Sequence, residues 1–201
     1  MSQSDRHFSM IRDLHLADLL TLANGFCGVA AIFAAMQFLV VDAPRLLMLA
    51  GCLVAAAFVF DVLDGKIARW RHSASAMGRE LDSLADVISF GVAPAAIAFA
   101  AGMNQPLDQA ILIFFALCGL SRLARFNVTA DAIAARTGKV EYFEGTPIPT
   151  SVVPLGLTLA AFLNGDLYPV AIFGVAFHLP VVLFFASGCL MVSKTLRIPK
   201  P

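Results

Sequence analysis

Asp61, Asp64, Asp82 and Asp86 fall within one stretch, DVLDGKIARWRHSASAMGRELDSLAD, of a chain that is otherwise mostly apolar. Asp61 and Asp64 are spaced i, i+3 and Asp82 and Asp86 are spaced i, i+4, so on helices each pair occupies one face. Gly78 joins the second face one turn earlier, and Gly65 and Ala68 flank the first pair with almost no side chain. Two adjacent helices of this kind present facing carboxylate pairs with a gap beside them. Four carboxylates packed together repel one another. A divalent cation reverses that, because its charge dominates the local field. Oxygen ligands with no Cys or His at ligand spacing point to a hard ion, Mg²⁺ or Mn²⁺. Two such cations between carboxylates suit phosphate chemistry: they neutralise a diphosphate, orient it and stabilise the leaving oxygen. Arg69, one turn beyond Gly65, is placed to pair with a phosphate oxygen. The competing reading pairs Asp61 and Asp64 with Lys66 and Arg69 and leaves the others as interfacial charges. It suits one such aspartate better than four at this spacing beside two glycines.

The elements that must position these groups are membrane helices. The chain has 201 residues, 59% hydrophobic and 14% charged, against about 25% charged in soluble domains. An aspartate at the centre of a membrane helix costs about 2.5–3.5 kcal/mol even on insertion scales, so its retention calls for a function. A bilayer core needs ~20 helical residues. The apolar runs predict six transmembrane helices, at 18–40, 46–70, 81–103, 107–129, 148–163 and 168–192. The expected fold is an all-α integral membrane protein, with residues 1–201 forming a single membrane domain. Residues 1–17 make a juxtamembrane segment in which Phe8, Ile11 and Leu14 recur at helical spacing. That fits a short amphipathic helix on the membrane surface, with an ordinary solvated turn as the alternative. The segment does not read as a cleaved signal, because its charges are mixed and the following apolar run is as long as a span.

All of the 14 Lys and Arg residues except Arg45 fall on one side of this arrangement. By the positive-inside rule both termini are cytosolic, and the four aspartates lie near the cytosolic edge of the cytoplasmic membrane. Transport sites lie nearer the midplane, on broken helices of related halves, and no such repeat is visible here. Cys27, Cys52, Cys118 and Cys189 stand alone in apolar segments and read as buried small hydrophobes. His7, His15, His72 and His178 have no partner at catalytic spacing, and Asp108 and Asp166 mark outer loops. The 17 phenylalanines are packing or lipid-facing surface, and no nucleic-acid partner is expected.

The aspartate stretch resembles a known pattern. Asp61-x-x-Asp64-Gly65-x-x-Ala68-Arg69, eight residues, then Gly78-x-x-x-Asp82-x-x-x-Asp86 is similar at every position to the signature of the CDP-alcohol phosphatidyltransferase family. The resemblance implies a six-helix bundle, usually a homodimer, with an amphipathic N-terminal helix. It implies that Asp61, Asp64 and Asp82 ligate a pair of divalent cations. Asp86 would complete that metal site and act as general base on the incoming alcohol. Gly65, Ala68 and Gly78 would let the cytidine nucleotide lie close to the helices, with Arg69 and Asn24 also toward the CDP-lipid.

The flanking words LTLANGFCG (20–28), ELDSLADVISFGVAPA (80–95), SRLARFN (121–127) and FEGTPIPT (143–150) are similar to those of the membrane-integral, serine-using bacterial branch of that family. The expected substrates are therefore CDP-diacylglycerol and L-serine, with glycerol 3-phosphate or inositol phosphate as the alternative acceptors and a divalent-cation transporter as the remote one. Arg122, Arg125 and Asn127 are candidates to bind the acceptor or the lipid phosphate, or, for the arginines, to anchor the span at the headgroups. Asn24 is placed to hydrogen-bond a ligand or a neighbouring helix. Phe143 and Gly145 help enclose the acceptor site or form a plain loop, and Pro147 and Pro149 shape the turn into the fifth span.

Overall fold

The computed structural model describes residues 16–71, 76–137, 142–172, 174–193 and 197–199. The expected amphipathic helix before residue 16 lies outside them. The first helix, α1, runs from Leu16 to Val41 and breaks at Asp42, which takes a positive φ of 51°. Pro44 then opens α2 (Pro44–Arg71), where a fixed φ and a missing N–H suit the first helical turn. So short a connection makes α1 and α2 antiparallel neighbours. The third rod comprises α3 (Ala76–Asp86), a π-helical segment (Val87–Val92) and α4 (Ala93–Ala100). Helix α5 follows, from Pro106 to Thr137.

These rods supply four stretches long and apolar enough to cross a membrane: Ala17–Val41, Pro44–Ile67, Met77–Ala100 and Pro106–Val128. The first four expected spans coincide with them to within a few residues. Their outward faces are apolar as well, with Phe33, Val40, Ile113 and Leu117 all more than half exposed. A water-soluble surface rarely carries so many exposed large apolar side chains.

In the last third of the chain the fifth expected span, 148–163, coincides with a shorter apolar helical stretch, Ile148–Asn164, while the sixth departs from expectation. After strand β1 (Tyr142–Glu144), that stretch consists of a 3₁₀ turn (Ile148–Ser151) running into α6 (Val152–Asn164). The stretch expected as one helix, 168–192, begins as an antiparallel hairpin of β2 (Pro169–Ile172) and β3 (Val175–His178). Only Val181–Val192 is helical, as α7. At 1.5 Å per residue α7 is about 18 Å long, short of the ~30 Å hydrocarbon core. Hydropathy alone could not separate the two halves, because β-branched and aromatic residues satisfy a strand as readily as a buried helix. The punctuation was local: Pro169, Gly174 with φ of 81°, and Pro180. The final strand, β4 (Arg197–Pro199), pairs antiparallel with β1, Phe143 opposite Ile198.

The hairpin is pinned by a pair that spacing did not reveal. Asp108, fully buried in the first turn of α5, accepts the His178 backbone N–H at 2.9 Å and the Gln105 N–H at 3.1 Å. Its Oδ2 also lies 2.6 Å from His178 Nδ1. Asp108 and His178, expected to have no role beyond a loop marker and a scattered histidine, instead tie β3 to α5. Asp108→Ala strands all of these donors and is expected to lower stability by about 3–5 kcal/mol. His178→Ala leaves the two backbone bonds and should lose only about 1.5–3 kcal/mol. Thermal unfolding in detergent checks the order; equal losses would mean that the ring, not the carboxylate, holds the hairpin.

The core lies among α1, α2, the third rod and α5. Ala31, Ala34 and Ala35 on α1 and Leu47, Ala50, Val54 and Ala57 on α2 are buried, and small residues on both faces let the backbones approach closely. Phe115 on α5 meets Phe184 on α7 edge to face, ring centres 5.2 Å apart. Cys27 and Cys118 are buried as expected, but Cys52 and Cys189 face outward, where an apolar exterior accepts a small thiol; all four are free.

Candidate metal and catalytic site

Helix α2 carries Asp61 and Asp64, and α3 carries Asp82 and Asp86. The fold brings one carboxylate oxygen from each of Asp61, Asp64 and Asp82 within 4.8 Å of the others. Asp64 is buried and the other two are half-buried. Such crowding is unfavourable by itself: Asp82 feels the charges of both Asp64 and Asp61. Asp82 Oδ1 is buried and has no hydrogen-bond partner among the described residues. Three clustered carboxylates, one of them with an oxygen left unsatisfied, are the kind of donor set a hard divalent cation takes. The residues therefore fit such an ion.

Asp86 stands beside this triad and interacts electrostatically with Asp61, Asp82 and Asp64. It is buried, and its Oδ1 accepts a hydrogen bond of 3.1 Å from Asn24 Nδ2 on α1. Thr21, one turn earlier on α1, donates to Asp64 Oδ2 at 2.8 Å. Gly65 follows Asp64, and beyond its own stretch of helix no described atom lies within 4 Å of where its Cβ would stand. The space beside the triad is open. Gly78 lies on α3, on the face that also carries Asp82 and Asp86. Ala68 and Arg69 belong to α2, but their side chains lie outside the described ones.

The three candidates on α5 go to different places. Arg122 is buried, within electrostatic reach of Asp86 and Asp61, and packs over the Phe126 ring at 5.9 Å. Its Nε has no hydrogen-bond partner among the described residues. Arg125 turns away and directs Nη1 to Val192 O at 3.4 Å, at the C-terminus of α7, where a cation complements the helix dipole. Asn127 bridges α5 to α3, donating to Ser83 Oγ at 3.0 Å and Glu80 Oε2 at 3.3 Å. Of these three, Arg122 is the one that the fold brings to the carboxylates.

The loop carrying FEGTPIPT is tied to the same end of α7. Thr146 N–H donates to Leu190 O, and Gly145, at φ of 74°, lies so close to Met191 O that no Cβ could be placed there. Glycine at 145 thus answers to backbone geometry.

Two features of the site were not read from the sequence. Thr21 carries no motif of its own, although its i, i+3 relation to Asn24 puts both on one face of α1. The π-helical turn directly after Asp86 has Ala93 N–H bonded to Ile88 O. Turns of this type recur at functional sites, but no residue pattern announces them.

Residues 14–191 match the sequence profile of the family described as CDP-alcohol phosphatidyltransferase. Across the whole chain, 46% of residues are identical to a Saccharomyces cerevisiae protein named CDP-diacylglycerol–serine O-phosphatidyltransferase, 76% of which is covered. A Helicobacter pylori protein of the same name is 39% identical over 68% of this chain and 53% of its own length. An archaeal protein from Methanothermobacter thermautotrophicus, named archaetidylserine synthase, is 37% identical over 70% of this chain. This chain spans about half of the latter two relatives, 53% and 55% of their lengths.

Proposed function

Because this chain belongs to the CDP-alcohol phosphatidyltransferase family, we propose that it transfers the phosphatidyl group of CDP-diacylglycerol to the hydroxyl of L-serine, giving phosphatidylserine and CMP. The observation that carries the chemistry is the gathering of the Asp61, Asp64 and Asp82 oxygens within 4.8 Å, with Asp86 held beside them. The choice of serine rests on the names of the relatives, above all the one matched along this entire chain.

Asp61, Asp64 and Asp82 would hold two divalent cations, Mg²⁺ or Mn²⁺, with Asp86 completing the set. When bound, these ions neutralise the diphosphate and stabilise the oxygen that leaves with CMP. Asp86 acts as general base: an alcohol is a poor nucleophile while it keeps its proton, and a carboxylate in reach accepts that proton as attack begins. The serine oxygen bonds to the β-phosphorus, the bond from that phosphorus to the bridging oxygen breaks, and CMP departs. Gly65, Ala68 and Gly78 leave room for the cytidine nucleotide, and Arg69 pairs with its phosphate. Asn24 keeps one free acceptor, since Oδ1 is buried with no hydrogen-bond partner among the described residues; a donor on the CDP-lipid would satisfy it.

Arg122 would receive the serine carboxylate or the lipid phosphate, in either case through charge-assisted bonds. A phosphate-bearing acceptor suits the same guanidinium, so glycerol 3-phosphate and inositol phosphate remain the second reading. Arg125 and Asn127 frame this side of the site through their contacts to α7 and α3. The asymmetry of Lys and Arg along the chain supports a cytosolic location for the site and both termini, in the cytoplasmic membrane. Residues 1–201 are proposed to form one membrane domain that functions as a homodimer; the mass of the detergent-solubilised particle checks the second point.

The deciding assay uses purified protein with CDP-diacylglycerol and Mn²⁺ or Mg²⁺. CMP release is followed with L-serine, glycerol 3-phosphate, inositol phosphate or no acceptor. The expected result is release with serine alone, and only with metal. Release with another acceptor would keep the carboxylate chemistry and overturn the serine assignment. No release from folded protein would overturn the catalytic reading and reopen cation transport.

A further inference from the structure

The proposed transfer reaction, the premise of this inference, draws its carboxylates and arginines from α2, α3 and α5. Yet two of the four carboxylates are held from α1. Thr21 and Asn24, spaced i, i+3, are both almost wholly buried, at 3% and 0% exposure. Each reaches a carboxylate on a different helix, Thr21 to Asp64 on α2 and Asn24 to Asp86 on α3.

We propose that Thr21 and Asn24 are positioning residues, through which α1 fixes the orientation of the Asp64 carboxylate toward metal and of the Asp86 carboxylate toward the attacking hydroxyl. An aspartate χ2 is a broad, soft torsion. One donor on one oxygen therefore decides which oxygen faces the site. The Thr21 hydroxyl has a single proton and two acceptors in range, Ala17 O at 3.1 Å and Asp64 Oδ2 at 2.8 Å. The carboxylate is both nearer and anionic, so it takes the proton. Metal ligands are commonly held in this way by outer hydrogen bonds.

Asn24 is itself fixed at two points. Its amide donates to Asp86, while its backbone carbonyl accepts from Ser89 Oγ at 3.0 Å. Ser89 belongs to the π-helical turn that begins directly after Asp86. One turn further along α1, a Cβ on Gly28 would run into the Ser89 backbone, so α1 and the third rod lie as close as two helices can there. Asn24 and Asp86 are therefore held in register by the packing on either side of them. The π-helical turn acquires a role: it presents Ser89 to α1 and so helps aim the carboxylate that precedes it.

The two positions predict different losses, read by Mn²⁺ binding through electron paramagnetic resonance and by kcat for CMP release at saturating Mn²⁺. Thr21→Val should weaken Mn²⁺ binding by about 10–100-fold, and Thr21→Ser, which keeps the hydroxyl, should restore it to within about 3-fold of the parent. Asn24→Leu should lower kcat by up to about 100-fold, the effect of a misaimed reacting group, and should weaken Mn²⁺ binding less than Thr21→Val does. If Asn24→Leu yields no folded particle, Asn24→Ala, which removes volume instead of shifting it, carries the test. Parental Mn²⁺ affinity in Thr21→Val together with parental kcat in the Asn24 variant would overturn the proposal while leaving the metal site standing. Equal damage from Thr21→Ser and Thr21→Val would also overturn it, by showing that packing and not the hydroxyl matters. Failure of the parent protein to bind Mn²⁺ would instead sink the metal reading, and the positioning role with it.

Discussion

Asparagine at position 86 is expected to lower kcat for CMP release by roughly 10²–10⁴-fold, the usual contribution of a positioned general base, while CDP-diacylglycerol still binds. Asparagine matches aspartate in shape, and its Oδ1 can still accept the bond that Asn24 Nδ2 makes at 3.1 Å. The variant therefore keeps the register between α1 and α3 while it removes the negative charge and with it the ability to take a proton. Burial sharpens the effect, because Asp86 is only 6% exposed and water has little access with which to replace it. The measurement is a pair of numbers, kcat from CMP release and the Kd of CDP-diacylglycerol at saturating Mn²⁺. A kcat within a few-fold of the parent would exclude Asp86 as the base. A collapse of both numbers would mean that its part in holding metal and nucleotide outweighs its part as base.

Asp82→Asn is expected to move two quantities in opposite directions. Mn²⁺ affinity should fall by more than about 100-fold, because outer hydrogen-bonding partners alone account for 10–100-fold and Asp82 is proposed as a direct ligand. Stability of the metal-free protein should rise, by about 0.5–2 kcal/mol, as when other function-bearing groups are replaced. The reason lies in the geometry. Asp82 sits against the like charges of Asp64 and Asp61, and its Oδ1 makes no hydrogen bond to any described residue. The folded protein loses little by the substitution and sheds a repulsion. Calorimetry in metal-free detergent buffer and Mn²⁺ titration by paramagnetic resonance give the two signs. A drop in metal-free stability would mean that Asp82 serves the fold, and the case for the triad as a cation site would weaken.

Helix α1 shows how such a site is assembled in a membrane. Hydrophobic burial does little to hold helices together when the surroundings are also apolar, so close packing and interhelical hydrogen bonds take over. In this protein two of those bonds end on carboxylates proposed to react. Thr21–Asp64 and Asn24–Asp86 link α1 to α2 and α3, and the Ser83–Asn127 contact links α3 to α5. On the proposed reading, Thr21 and Asn24 both hold helices in register and orient the chemistry.

Much of the site could be read from local spacing. Carboxylates at i, i+3 and i, i+4 must share a helix face whatever the tertiary structure, so the pairs 61/64 and 82/86 were legible at once. Their oxygen-only chemistry and the four long apolar runs were legible for the same reason: each depends on residue type and on one-dimensional distance. The family resemblance rested on the same 26 residues, 61–86, and the match over residues 14–191 bears it out.

What the tertiary structure decided was every relation between elements. That Arg122 meets the carboxylates while Arg125, three residues on, reaches Val192 depends on how α5 lies between α3 and α7. That Thr21 and Asn24 hold two aspartates depends on the register of α1, set in part by the close approach at Gly28. The pairing of His178 with Asp108 joins residues 70 positions apart, and the hairpin that carries His178 was hidden inside an apolar run with the composition of a span. Periodicity records which face a residue occupies along its own helix. Which neighbour that face meets is settled by packing between elements distant in sequence, and no spacing within one helix encodes it.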